Sequence, residues 1–164
     1  MTMRVLVAYG SKMGGTKGLA EMVGTELEAN GFQVDVMPAR AVADLTPYGA
    51  VILGGALYSM RWHKDARRFI RKHKQALQTN PVWLFSSGPL DDSAQKNEIP
   101  PVRFVRNVMR LTHARGHVTF GGRMPADAKG FPAGSMAKNT AGDWRNPDHV
   151  RMWAKQVAED LHAG

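Results

Sequence analysis

Apolar residues fall along this chain in short, nearly unbroken runs that alternate with longer stretches of helical spacing. Arg4-Val-Leu-Val-Ala-Tyr9 reads as a buried strand closed by Gly10. Thr16 to about Asn30 reads as a helix with Leu19, Met22, Val23 and Leu27 on one face and Gly31 as its stop. Phe32-Gln-Val-Asp-Val36 alternates apolar and polar, as an edge or half-buried strand does. Arg40 to Leu45 has room for one helical turn. Ala50-Val-Ile-Leu53 is a second buried strand, interrupted by Gly54-Gly55. A helix from about Lys64 to Leu77 turns Ala66, Phe69, Ile70 and Leu77 inward and Arg67, Arg68, Arg71, Lys72 and Lys74 outward. Val82-Trp-Leu-Phe85 is a third buried strand, ending at Ser86-Ser87-Gly88. Pro100-Pro101 precede a helix reaching about Ala114, where Gly116 stops it, and His117-Val-Thr-Phe120 is the last strand. Asn146-Pro147-Asp148 is a strong helix start, with Asn as cap, Pro at the first helical position and an acid in the first turn.

Strands alternating with helices predict parallel βαβ units, right-handed crossovers and a sheet covered on both faces. The expectation is an α/β fold of three layers, a doubly wound sheet of five parallel strands, occupying residues 1–164 as a single domain. Two strand orders compete, 2-1-3-4-5 and half of a dinucleotide-binding sheet. Neither an internal repeat nor a linker divides the chain. Its length of 164 residues and 43% hydrophobic content suit one ordinary globular core.

Ligands of doubly wound sheets sit outside the carboxyl ends of the strands, where strand order reverses. The first strand exits through Gly10-Ser-Lys-Met-Gly-Gly-Thr16 straight into a helix. Glycines let the backbone turn tightly and bring N–H groups close to an anion. Ser11 and Thr16 add hydroxyls, and the helix N-terminus adds unpaired amides and partial positive charge. Together they describe a phosphate cradle, with a tight strand–helix turn that holds no ligand as the alternative. The spacing departs from the P-loop of nucleotide triphosphatases, because Thr16 stands where Lys is needed and Lys17 is one position late. The G-x-G-x-x-G of nicotinamide-binding folds is absent too.

The run Val7-Ala-Tyr-Gly-Ser-Lys-Met-Gly-Gly-Thr-Lys-Gly-Leu-Ala20 resembles the flavodoxin signature, with Tyr9, Ser11, Gly14, Thr16 and Ala20 in the expected places. Ala8 departs from it, standing where the family usually has a larger apolar residue. The resemblance selects the flavodoxin order 2-1-3-4-5 and implies FMN as cofactor, with Ser11, Lys12, Met13, Gly14, Gly15 and Thr16 around its phosphate. It also implies that the next two strand-exit loops sandwich the isoalloxazine ring. In the second, Ala56, Leu57, Tyr58, Ser59 and Trp62 are the candidates, with packing of Tyr58 and Trp62 beneath the loop as the alternative. In the third, Ser86, Ser87, Gly88 and Leu90 are the candidates. That loop carries no aromatic, which leaves one ring face open and suits a substrate that stacks on the flavin.

Charge changes the picture further. Electron-carrying flavodoxins are typically acidic, whereas this chain has a net charge of +8. In that respect, and in Trp62-His63, Phe69-Ile-Arg-Lys-His73 and Gly142-Asp-Trp144, it resembles the flavodoxin-type, menaquinone-dependent protoporphyrinogen oxidases. The resemblance implies oxidation of a porphyrinogen-like planar substrate with a quinone or similar acceptor, the protein positioning and insulating the flavin. Arg61, His63 and Lys64 stand near the rim, either to meet substrate carboxylates or as ordinary surface charges. A flavodoxin electron carrier serving a redox partner, and a flavin-free interaction domain, are the competing readings.

Other chemistries find little support. The chain has no cysteine, hence no disulfide, thiolate nucleophile or cysteine-ligated metal. His113 and His117 have a metal-ligand spacing, but Gly116 separates them, and no metal site is expected. No Ser/His/Asp constellation is readable, so no catalytic acid or base is assigned. The basic helix reads first as a solvated face, with contact to nucleic acid or anionic lipid as the alternative, and it lacks the interleaved aromatics of single-strand binding. The amino-terminal run is too short for a signal peptide and no stretch approaches the ~20 apolar residues of a membrane span, so a cytoplasmic protein is expected, with peripheral membrane contact left open. The Gly- and Pro-rich segment from Arg123 to Gly142 is long enough to cover part of the flavin or to wrap the sheet edge.

Overall fold

The first apolar run becomes β1 (Arg4–Gly10), in which Val5 through Ala8 are completely buried. Continuous burial means that both faces of the strand are covered, the condition of a parallel sheet between two helical layers. The computed structural model describes residues 2–11, 15–58, 60–89, 93–124, 142–143 and 145–164. After β1 come α1 (Gly15–Ala29), β2 (Gln33–Pro38), a 3-10 turn (Ala39–Ala41) and β3 (Ala50–Tyr58). The short strand β4 (Arg61–Trp62) leads into α2 (Lys64–Lys72) and α3 (Lys74–Thr79). Then follow β5 (Val82–Ser87), α4 (Ser93–Lys96), α5 (Arg103–Thr112) and β6 (Gly116–Phe120). A small hairpin of β7 (Arg123–Met124) and β8 (Gly142–Asp143) precedes α6 (Pro147–Ala163).

The parallel strands run β2-β1-β3-β5-β6, the flavodoxin order once the two-residue β4, which folds back antiparallel on β3, is set aside. Val5, Val7, Ile52, Trp83, Phe85 and Phe120 face α1 and α6 on one side. Leu6, Ala8, Val51, Leu53, Val82 and Leu84 face α2, α3 and α5 on the other. Burying each such Val, Leu or Phe side chain contributes roughly 1.5–3 kcal/mol. Among the described residues no helix is long and apolar enough to cross a membrane.

Several boundaries differ from expectation. β3 does not stop at Gly54-Gly55 but continues to Tyr58, because the glycines are needed for packing rather than turning. A Cβ on Gly54 would enter the Phe85 ring, and one on Gly55 the Trp62 ring. The expected helix from Lys64 divides at His73 (φ −110°, ψ 20°), whose ring is buried against Phe69 at 4.7 Å. The helix that Gly116 was expected to stop ends instead at His113, in the left-handed conformation, with Ala114 N–H donating to Met109 O. Gly116 opens β6, where the Trp83 indole fills the space beside its Cα. Asn146 caps α6 as expected, its side-chain oxygen accepting from Asp148 and His149 N–H. Residues 125–141, most of the segment expected to cover the flavin or the sheet edge, lie outside the described residues.

Candidate functional site at the carboxyl edge of the sheet

Strand register brings three loops to one rim. Gly10 pairs with Gly55, Gly55 with Ser86, and Ala56 with Ser87, so the exits of β1, β3 and β5 stand side by side. With strands about 4.8 Å apart, the row from Gly10 to Ser86 spans about 10 Å. A Cβ on Gly10 would lie 2.7 Å from Ala66 N, so a larger residue there would push the start of α2 away from the rim.

α1 begins immediately after the first loop, so its opening amides, which have no intrahelical acceptors, point toward the rim. Gly15 and Thr16 are buried in its first turn and Ser11 is half-buried; Lys12, Met13 and Gly14 lie outside the described residues. Thr16 is 1% exposed, and its hydroxyl has no hydrogen-bond partner. Buried hydroxyls are nearly always satisfied, and an orphan beside free helix amides marks a place built for an acceptor. Arg145, which the sequence reading did not single out, lies over this turn. Its guanidinium is clamped by Asp143 at 2.7 and 2.9 Å and reaches Gly15 O at 3.5 Å. Hydrogen bonding to Asp143 raises its pKa further. With its charge matched by Asp143, Arg145 fixes the turn rather than supplying net positive potential. Its only sequence signal was an Asp-x-Arg spacing just ahead of the α6 cap.

The second loop is a tight hairpin. Leu57 pairs with Trp62 and Tyr58 with Arg61, and Met60 adopts φ 65° at the turn. Tyr58 is 36% exposed, with the His63 ring edge-on at 6.0 Å, and keeps contact with solvent at the rim. Trp62 does not. It is 1% exposed, wedged beneath Gly55, edge-on to Phe104 at 6.0 Å, with its indole N–H donating to Ser86 Oγ at 3.0 Å. Trp62 therefore takes the alternative position, packed beneath the loop with protein on its faces. His63 is likewise a helix cap, its Nδ1 accepting from Asp65 N–H at 3.2 Å. Ser59 lies outside the described residues.

In the third loop, Ser86 also points inward. Besides accepting from Trp62, its hydroxyl lies 3.3 Å from His117 Nε2. Burial pushes the His117 pKa down to about 4, so the ring is neutral near pH 7 and shares one hydrogen bond with Ser86 Oγ whose direction follows its tautomer. The Ser86 side chain is buried and turned toward Trp62 and His117. Ser87 is buried at the rim and Gly88 half-buried; the loop is pinned by Gly88 N–H to Phe120 O (3.0 Å) and Gly122 N–H to Pro89 O (2.9 Å). Leu90 lies outside the described residues. The rim thus joins Ser11, Gly15 and Thr16 at one end to Ala56, Leu57, Tyr58, Ser87 and Gly88 at the other, an arrangement able to take an anion at the first turn of α1 and a planar group beside Tyr58.

The flavodoxin-domain family model matches residues 6–130. Among curated proteins, the protoporphyrinogen IX dehydrogenase [quinone] of Escherichia coli K12 is 24% identical over 86 residues, 51% of this chain and 48% of the relative. The protein of the same description from E. coli O157:H7 matches identically, so the aligned part spans about half the length of these relatives. Among solved structures, a flavodoxin from the domain Archaea superposes with a TM-score of 0.66 at 17% identity, covering 98% of this chain and 99% of the other. The rubredoxin oxygen:oxidoreductase of Desulfovibrio gigas also gives 0.66, at 14% identity, covering 98% of this chain and 36% of that one. At such identities the superpositions speak for a shared fold.

Proposed function

This chain belongs to the flavodoxin-domain family, and from that premise we propose that it binds FMN along the rim and works as an oxidoreductase on a planar, porphyrinogen-like substrate, with a quinone or similar acceptor. The observation that carries the FMN reading is the buried, unpartnered Thr16 hydroxyl at the first turn of α1. A phosphate monoester there would accept from that hydroxyl and from the α1 amides. Ser11 to Thr16, including Lys12, Met13 and Gly14, form the phosphate end. Ala56, Leu57, Tyr58, Ser59, Ser87, Gly88 and Leu90 form the ring end, with Trp62 and Ser86 supporting it from below. Bound there, FMN would supply two-electron redox chemistry. The chain's own part is to orient the ring beside Tyr58 and to keep its other side accessible, since the described part of the third loop offers no aromatic.

The choice of an enzyme over a carrier rests on the net charge of +8 and on the partial match to the E. coli dehydrogenase. An electron carrier that docks on a redox partner is the second reading, favoured by superposition over nearly the whole length of the archaeal flavodoxin. Titration of the purified chain with FMN, followed by flavin fluorescence, tests the common premise. Saturable 1:1 binding is expected, with riboflavin, which lacks the phosphate, bound at least about tenfold more weakly. Failure to bind FMN at high concentration would leave a flavin-free interaction domain. With FMN bound, turnover of a porphyrinogen with a quinone favours the enzyme; electron exchange with a reductase and no such turnover favours the carrier.

A further inference from the structure

On the sheet face away from α1 and α6, a groove of about 780 Å³ runs between α2 and α5. Its floor is apolar, formed by Ile70, Phe104, Val108 and Leu111, and Met60, 66% exposed, closes one end from the β3–β4 turn. Arg61, Arg67, Arg71 and Arg103 stand around it, and among the described residues no acidic side chain lines it. Among the described residues no carboxylate pairs with any of these four arginines, although Arg4, Arg40, Arg145 and Arg151 all have acidic partners. The Nε of Arg67 is buried and has no hydrogen-bond acceptor.

Four like charges around one apolar groove repel one another, and a buried guanidinium N–H without an acceptor is costly. An oxyanion relieves both, since the guanidinium fork matches carboxylate and phosphate geometry. The floor requires that the anion carry an apolar body. The volume falls in the range of about 300–1,000 Å³ typical of small-molecule clefts. We propose that this groove binds a small amphipathic organic anion, an apolar body bearing carboxylate or phosphate oxygens, taken up as a monomer from solution. Its floor lies on the sheet face opposite α1, whose first turn carries the orphan hydroxyl, while Met60 and Arg61 at its end belong to the β3–β4 turn that also borders the ring end of the rim.

The test titrates the full chain with 8-anilinonaphthalene-1-sulfonate, whose emission rises in apolar surroundings. One saturable site is expected, weakened at least about tenfold by the pair Arg67→Gln/Arg103→Gln. The exposed pair Arg71→Gln/Arg103→Gln, which disturbs no buried contact, is expected to weaken it in the same direction. The charge-matched control Arg68→Gln/Lys155→Gln, exposed and outside the groove, is expected to leave it unchanged. The uncharged N-phenyl-1-naphthylamine is expected to bind at least about tenfold more weakly than the sulfonate. The proposal is overturned by equal losses in groove and control variants, by equal binding of the uncharged dye, by displacement of the sulfonate with FMN, or by absence of a saturable site. Arginine-dependent binding to phosphatidylglycerol vesicles without monomer binding would assign the groove to a membrane surface and overturn it as well. Failure of FMN to bind refutes the flavin reading and leaves this one standing.

Discussion

Thr16→Val separates a ligand-binding hydroxyl from a structural one, because the two roles predict opposite signs. Thr and Val have nearly the same shape and are both β-branched, so the substitution exchanges a hydroxyl for a methyl with little change in helix propensity. In the flavin-free protein that hydroxyl is buried and unpartnered, a situation that costs about 1–3 kcal/mol. Removing it is expected to stabilise the flavin-free chain by about 1 kcal/mol or more, raising Tm by about 2–4 °C per kcal/mol for a domain of this size. The same change removes a hydrogen bond to a charged phosphate, about 1.5–3 kcal/mol, so the Kd for FMN is expected to rise about 10- to 150-fold. Riboflavin has no phosphate to lose contact with, and its affinity should barely move. Urea unfolding without flavin and fluorescence titration with both flavins read the two effects independently. In excess FMN the order reverses and the wild type becomes the more stable, since ligand binding to the folded state adds to its stability. A loss of flavin-free stability greater than about 1 kcal/mol, or an unchanged Kd for FMN, would refute the assignment of this hydroxyl to the phosphate.

Two further outcomes follow from the interior of the rim. Gly55→Ala drives a methyl into the Trp62 indole and is expected to destabilise the fold by about 1–3 kcal/mol in denaturant melts; an unchanged midpoint would show that Trp62 is free to move. His117 is held near pKa 4 by burial, below its unfolded value of about 6.5, so between those pH values the unfolded chain binds the extra proton. Stability is therefore expected to be full above pH 6.5 and to fall as the pH drops toward 4, by at most about 3 kcal/mol from this group. His149 and His73, also lowered by burial, act in the same direction. His117→Gln, which keeps a hydrogen-bonding partner for Ser86 without titrating, should flatten part of that slope, and an unaltered slope would assign the acid sensitivity elsewhere.

Most of the fold was legible because burial on both sides of a parallel strand writes an unmistakable pattern. Val5 to Ala8 and Val82 to Phe85 have no polar residue because neither face meets water. Asn146-Pro147-Asp148 announced α6 because each residue satisfies a local requirement of a helix start, independent of tertiary context. The errors fall where local chemistry and packing compete for the same residue. Gly54 and Gly55 look like a break when only the backbone is considered, yet they are deep in β3 because Phe85 and Trp62 need the space. Gly116 looks like a helix stop, but His113 already fills the left-handed position and Trp83 claims the glycine.

The same competition explains what was legible at the site. The proposed phosphate end rests on backbone and hydroxyl groups next to one another in sequence, so the spacing from Gly10 to Thr16 was enough to single out the turn where the Thr16 hydroxyl is buried without a partner. The ring end depends on which way side chains turn at the ends of two strands, and a shift of one residue exchanges rim for core. Tyr58 and Trp62 are both aromatic and lie in one loop, yet the β3–β4 pairing leaves Tyr58 at the rim and sends Trp62 inward to Ser86. Nothing in their order distinguishes them; the discriminating fact is Gly55, whose missing side chain makes the cavity that the indole fills. The basic residues divide in the same way. Arg67 and Arg68 are adjacent on an outward-looking face in sequence, but successive helical residues differ by about 100°, which sends Arg67 into the α2–α5 groove and leaves Arg68 in solvent. A run of charge in α2 is therefore two surfaces, and only one of them has an apolar floor and an unanswered donor.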